Sequence, residues 1–216
     1  MKKLISFLFL SFVLILSSCM SNENANGNSE SKNNTTDEQI TSHPEKVTIF
    51  LYGDFSRPTA KMLRKELLKY FKEVKIAQAP LTLPKEYYNK EANRYRATGL
   101  LEDLKPRRNN DVVIGLTNQI IYNPNELSDT YGIMGISKLG SNVCVISSKI
   151  PRNGRVQEGE NFVKLALHEL GHSYGLPHCP DQKCYMVDAE HKMKLPNTKY
   201  FCPSCLAKLQ KQGWKL

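Results

Sequence analysis

Near the C-terminal end of the chain stands His168-Glu-Leu-Gly-His172-Ser-Tyr-Gly175-Leu-Pro-His178. Histidines four apart on a helix project one above the other from a single face, so His168 and His172 can offer two imidazole nitrogens to one ion. Zn²⁺ takes such nitrogens at about 2.0–2.1 Å, and a catalytic site uses three protein ligands and leaves a fourth position to water. His178 is the candidate third ligand. Gly175 lets the backbone leave the helix by a sharp turn, Pro177 stops the helix, and His178 can then swing back to the ion. Glu169 is the candidate general base. The metal lowers the pKa of bound water towards about 7 and polarises a carbonyl, while the carboxylate takes the proton and hands it to the leaving amine. This is the chemistry of zinc-dependent peptide-bond hydrolysis. With Gly175 and His178 in register behind H-E-x-x-H, chance is not a serious rival.

A second constellation begins one residue later. Cys179 and Cys184, then Cys202 and Cys205 after seventeen intervening residues, run C-x4-C and C-x2-C. That spacing suits a closed tetrahedral zinc with thiolates at about 2.3 Å. Two disulfides are the alternative, and an exported setting favours them. Cys202-Pro-Ser-Cys205 also has the form of a redox motif, but such a motif needs a βαβ unit around it, and too little chain follows. A metal on all four cysteines would fix His178, next to Cys179, together with Met186, two residues past Cys184. It would thereby support the catalytic zinc from outside its ligands. Cys144, alone in an apolar run, reads as a small buried hydrophobe. His43 and His191 lie in polar stretches and read as solvated.

The elements that must position these groups follow from the pattern of apolar residues. A long helix from about Glu158 to Tyr174 puts Val163, Leu167, Leu170 and Tyr174 on one stripe, with His168 and His172 roughly opposite. Upstream, Val47–Tyr52, Val74–Ile76, Asp111–Thr117, Tyr131–Ser137 and Asn142–Ser147 read as strands. Met62, Leu63, Leu67, Leu68 and Phe71 mark a helix after the first strand, and Tyr87–Leu104 reads as another, closed by Pro106. Asn118–Asp129 reads as a polar loop. Two glycines in Tyr131–Ser137 suggest a bulge or the close approach of another backbone. That strand is the candidate sheet edge along which an extended peptide substrate would lie.

Residues 1–18 have the layout of a secretory signal: Lys2 and Lys3, an apolar run from Leu4 to Leu16, then Leu-Ser-Ser-Cys19. The ending resembles the lipobox of bacterial lipoproteins, which implies cleavage before Cys19 and acylation of its thiol. Met20 is not the aspartate that retains such proteins at an inner membrane, so the outer membrane stays open. Residues 19–45, rich in Asn, Ser, Glu and Gly, read as a disordered tether, and the folded domain spans 46–216. The expected setting is therefore extracytoplasmic, lipid-anchored to the cell envelope. The net charge of +9 comes from scattered basic residues without the aromatic interleaving of a nucleic-acid reader, so a nucleic-acid partner is not expected.

The pattern H-E-x-x-H-x-x-G-x-x-H resembles that of the metzincin clan of zinc peptidases. Its continuation through Cys179, Cys184-x-Met186 and Cys202-x2-Cys205 is similar to the archaemetzincins, or archaelysins, with a C-x-M in place of the usual Met-turn. The resemblance is densest over His168–Cys205 and does not reach the leader and tether. It implies zinc on His168, His172 and His178, with Glu169 as base and Met186 packed beneath the imidazoles. It further implies a structural zinc on Cys179, Cys184, Cys202 and Cys205. Two departures stand out: the fifteen residues between Met186 and Cys202 are short for the family, and the setting is exported. Where some metzincins carry an extra tyrosine ligand two residues past the methionine, this chain has Asp188, so no such switch is expected.

The expected fold is α/β (α+β): a metzincin-like mixed, twisted sheet with an active-site helix and a small zinc-stapled C-terminal part. The expected function is that of a monomeric zinc metallopeptidase acting on peptides or proteins and held to a membrane by an N-terminal lipid. A zinc-stabilised binding or adhesion lipoprotein without turnover is the alternative. Glu169 argues against it, because a purely structural site has no use for a base.

Overall fold

Strands whose residues are all apolar need cover on both faces. β5 (Val112–Thr117) and β9 (Val143–Ser147) are buried along their whole lengths. They lie at the heart of a five-stranded sheet with β1 (Lys46–Leu51), β2 (Glu73–Ile76) and β8 (Gly135–Ser137), in the order β2-β1-β5-β9-β8. The first four strands are parallel, and β8 closes the edge antiparallel to β9. The fold is thus the expected mixed α/β arrangement. In this computed structural model the described residues are 46–125, 128–188 and 194–215. The leader, Cys19, the tether, His43 and His191 lie outside them. Among the described residues no helix is long and apolar enough to cross a membrane.

One face of the sheet packs on α1 (Arg57–Leu67) and α3 (Gly159–Ser173), joining Ile49, Leu51, Ile114 and Ile146 to Leu63, Leu67, Phe162, Ala166 and Leu170. The other face is covered by α2 (Ala97–Leu104), whose Leu100, Leu101 and Leu104 meet Val113, Val143 and Val145. Ser56 caps α1, its Oγ accepting from the Thr59 N–H, and Pro58 fits the first turn, where its missing N–H costs nothing. α4 (Pro203–Lys211) follows Cys202 and ends near Trp214. The indole packs edge-to-face with Phe71, Tyr174 and Phe201 and tilted against Tyr70, tying the C-terminal part to the ends of α1 and α3.

Several boundaries differ from the sequence reading. Tyr87–Leu104 is not one helix. A 3-10 turn (Lys85–Tyr87), β3 (Tyr88–Asn89) and β4 (Arg94–Arg96) precede a helix that begins only at Ala97. Asn89 Oδ1 accepts from the Ala92 N–H, and Asn93 takes φ 51°. Local side-chain bonding and a left-handed asparagine turn the chain into a hairpin. β4 then pairs with β6 (Ile121–Tyr122), which lies inside the stretch read as a polar loop, and β6 pairs with β7 (Gly132–Ile133). Consequently Tyr131–Ser137 is two strands in two sheets, not one: β7 in the small sheet β3-β4-β6-β7, β8 in the large one. Met62 and Leu68, two of the apolar residues that marked this helix, are exposed at 36% and 41%, whereas Ala60, Leu63 and Leu67 are its buried residues.

Candidate active site

α3 spans Gly159–Ser173 and buries more than one stripe. Leu167, Leu170 and Tyr174 face the sheet core as the periodicity requires, whereas Val163 is only partly buried. The opposite side, carrying His168 and His172, is covered by the segment that follows the helix. The turn out of the helix is a Schellman motif. Gly175, at φ 86°, donates its N–H to the His172 carbonyl at 2.8 Å, and the Leu176 N–H bonds the Gly171 carbonyl at 2.9 Å. This reversal brings His178 back over the helix, its ring centroid 5.5 Å from that of His168 and 4.8 Å from that of His172.

Backbone carbonyls orient two of the imidazoles. His168 Nδ1 lies 2.7 Å from the Tyr185 oxygen, and His172 Nδ1 lies 2.7 Å from the Leu176 oxygen. A carbonyl only accepts, so each Nδ1 carries the proton and each Nε2 is left with a lone pair. Those two Nε2 atoms stand 3.1 Å apart. Two lone pairs facing each other at this distance repel unless a cation lies between them. Tetrahedral zinc with bonds of about 2.0–2.1 Å would set its nitrogens about 3.3 Å apart, so the geometry fits the ion. One ligand nitrogen from each of His168, His172 and His178 falls within 4.8 Å of the others. Burial, and then the neighbouring His172, pull His168 down to about 4, and burial lowers His172 as well. Both rings are therefore neutral and able to ligate at neutral pH.

Spacing alone did not reveal these orienting groups. The carbonyl partners carry no side-chain signal. Asp188 could have been found: its Oδ2 lies 3.4 Å from His178 Nδ1, so the residue standing where some metzincins have a tyrosine orients the third histidine. Glu169, 6% exposed, lines the same cleft. Removal from water raises its carboxyl to about 8. The cleft, of about 830 Å³, runs beneath β8 and is lined also by Met134, Ile136, Leu165 and Val187.

Met186 is fully buried against α3. Gly171 makes room for it, since a Cβ there would overlap Met186 Sδ. The two glycines of Tyr131–Ser137 likewise admit close neighbours, but these are side chains rather than the expected backbone: Pro151 and Arg94 at Gly132, Glu169 at Gly135.

Cys179, Cys184, Cys202 and Cys205 converge, their Sγ atoms all within 4.8 Å of one another. Cys179 and Cys202 are 3.6 Å apart and all four are free thiols. Zinc–thiolate bonds of about 2.3 Å imply sulfurs about 3.8 Å apart, so this donor set also fits a tetrahedral ion. Cys184 Sγ accepts from the backbone N–H groups of Met186 and Cys202 at 3.4 and 3.3 Å. Burial pushes its thiol up to about 11. At Cys202 burial is outweighed by hydrogen bonds from the Cys205 backbone and the other thiols, which lower it. Cys202 is the N-cap of α4 and Cys205 lies in its first turn; burial, and then the neighbouring Cys202 and Cys184 thiols, push Cys205 well above the usual thiol range. The Cys179 N–H bonds the Met186 carbonyl at 2.8 Å, a direct link between the two constellations.

The family model of peptidase family M54 matches residues 60–211. The archaemetzincin of Methanopyrus kandleri is 32% identical over 149 residues, covering 66% of this chain and 81% of its own length. That of Pyrococcus horikoshii is 33% identical over 162 residues, covering 66% and 80%. Among solved structures, the Methanopyrus kandleri archaemetzincin superposes with a TM-score of 0.65 at 26% identity, covering 80% of this chain and 96% of its own. The Archaeoglobus fulgidus archaemetzincin, complexed with malonate, gives 0.62 at 25% identity, covering 76% and 99%.

Proposed function

This chain belongs to peptidase family M54, the archaemetzincins, and we propose that its zinc-dependent hydrolysis of peptide bonds is carried out by Glu169 beside a zinc site of His168, His172 and His178. When bound, the zinc supplies Lewis acidity towards the scissile carbonyl and acidifies water. The remaining work belongs to the chain. His168 and His172 present unprotonated Nε2 atoms because the Tyr185 and Leu176 carbonyls hold the proton on Nδ1. Glu169 takes a proton from the attacking water onto its carboxylate and delivers it to the departing amine nitrogen. Among the described residues β8 is the sheet edge beside these groups, and an extended substrate can add to it as a further strand.

The observation that carries this assignment is the convergence of two Nε2 lone pairs, 3.1 Å apart, with a buried carboxyl in one cleft. Hydrolysis of a mixed peptide library, with zinc quantified, tests it. Wild type is expected to cleave, and Glu169→Ala is expected to retain zinc and lose cleavage. Equal cleavage by both would remove Glu169 from the role.

We propose further that Cys179, Cys184, Cys202 and Cys205 hold a second, structural zinc. The 3.6 Å approach of Cys179 and Cys202 and the tetrahedral donor set support it over two disulfides. For the N-terminal region, the lipobox-like Leu16-Ser-Ser-Cys19 supports an enzyme anchored outside the cytoplasm through a lipidated Cys19 and held off the membrane by residues 19–45. A non-catalytic adhesion lipoprotein is not favoured, because it leaves Glu169 without a purpose.

A further inference from the structure

Gly135 lies in β8, the edge strand that roofs the cleft. Its backbone does not need glycine: it pairs regularly with Ile146 across the antiparallel ladder and is not among the positive-φ residues. What it needs is space. A Cβ built on Gly135 would overlap Glu169 Oε1 and stand 2.6 Å from Glu169 Cγ and 2.7 Å from Cδ, and these three are its nearest neighbours. Such separations are well inside van der Waals contact, which for carbon atoms is about 3.5–4.0 Å.

Glu169 sits mid-helix between the ligands His168 and His172, so its backbone cannot retreat without carrying the metal site along. Only its side-chain torsions are free to respond to a neighbour on β8. The same strand offers its edge to a substrate. The bare Cα of Gly135 is therefore the surface that both limits the reach of the carboxyl and ties it to the substrate-bearing edge.

We propose that Gly135 is a positioning residue for the base: the missing side chain lets Glu169 extend along β8 to the scissile bond, and a methyl group there would deflect the carboxyl. The inference rests on the reading of Glu169 as base. Displacing a reacting group by about 1 Å can cost roughly 10²-fold in rate, so Gly135→Ala should lower kcat on that order. KM should move by less than about threefold and zinc content should not change.

The test compares wild type, Gly135→Ala, Glu169→Ala and the double variant for peptide cleavage, zinc content and melting temperature. A purely packing role would lower kcat only through lost fold or metal. A positioning role lowers it in folded, zinc-replete protein. Removing the Glu169 side chain vacates the space, so Gly135→Ala should cost melting temperature in the wild-type background and nothing in the Glu169→Ala background. Wild-type kcat in Gly135→Ala, or an equal loss of melting temperature in both backgrounds, would overturn the proposal. If Gly135→Ala fails to fold, the double variant should fold, and its failure would overturn the proposal too. Full activity in Glu169→Ala overturns the base reading, and the proposal with it. An inactive Glu169→Ala beside an unimpaired Gly135→Ala overturns the proposal alone.

Discussion

Each histidine of the site is oriented by a different oxygen: the Tyr185 carbonyl, the Leu176 carbonyl and the Asp188 carboxylate. The first two are fixed by backbone geometry and cannot be deleted by substitution. The third can. Loss of such an outer partner commonly weakens metal binding by 10–100-fold. Asp188→Ala is accordingly expected to lower zinc affinity at the histidine site by about tenfold, at the lower end because the pair is half exposed, measured by competition with a chromogenic chelator. A second expectation concerns the metal-free protein, where burial sets Glu169 at about 8 and His168 at about 4. Between about pH 4 and 6.5 the unfolded chain binds more protons at His168, so that residue makes stability rise with pH. Between 4.5 and 8 the folded chain binds more protons at Glu169, which makes stability fall as pH rises. Above 6.5 only the carboxyl acts of the two, with a loss of about 2 kcal/mol by pH 8, at 1.36 kcal/mol per pH step. Glu169→Gln should flatten that decline in denaturant titrations of metal-free protein, and an unchanged slope would show the carboxyl to be ionised when folded.

At the scale of elements, α3 and the loop after it form one device. The helix supplies two ligands and the base, Gly175 reverses the chain, and the Cys179 N–H to Met186 carbonyl bond closes the loop on itself. The Cys184–Tyr200 bridge then draws Cys202 against Cys184. If the cysteine zinc holds this loop, Cys202→Ser should weaken zinc at the neighbouring histidine site and reduce cleavage along with it. Unchanged affinity and activity would separate the two constellations. These elements were legible in sequence because their signals are local and strong: i, i+4 histidines, a glycine needed at positive φ, cysteines at metal spacing. The small sheet was not. β6 and β7 are two residues each, too short to carry a period, and are held by pairing, β6 on β4 and β7 on β6. Arg94-Tyr95-Arg96 reads equally well on a helix. Asp188 was visible but was read only as a missing tyrosine.

On the scale of the whole molecule, a sheet covered by α2 on one face and α1 and α3 on the other frames the site, with its edge strand β8 roofing the cleft over α3. The aromatic group around Trp214 anchors the C-terminal part to the ends of α1 and α3. The enzyme is further expected at a membrane through Cys19. Expressed in a bacterium with its leader, wild type should partition into the membrane fraction and take up a radiolabelled fatty acid, whereas Cys19→Ala should do neither. Equal fractionation would count against the lipid anchor. The most direct test of the architecture as a whole is an anomalous difference map of the purified protein at the zinc edge. Two peaks are expected, one bonded to His168, His172 and His178 and one to the sulfurs of Cys179, Cys184, Cys202 and Cys205. A single peak, with the four cysteines joined as disulfides, would contradict it.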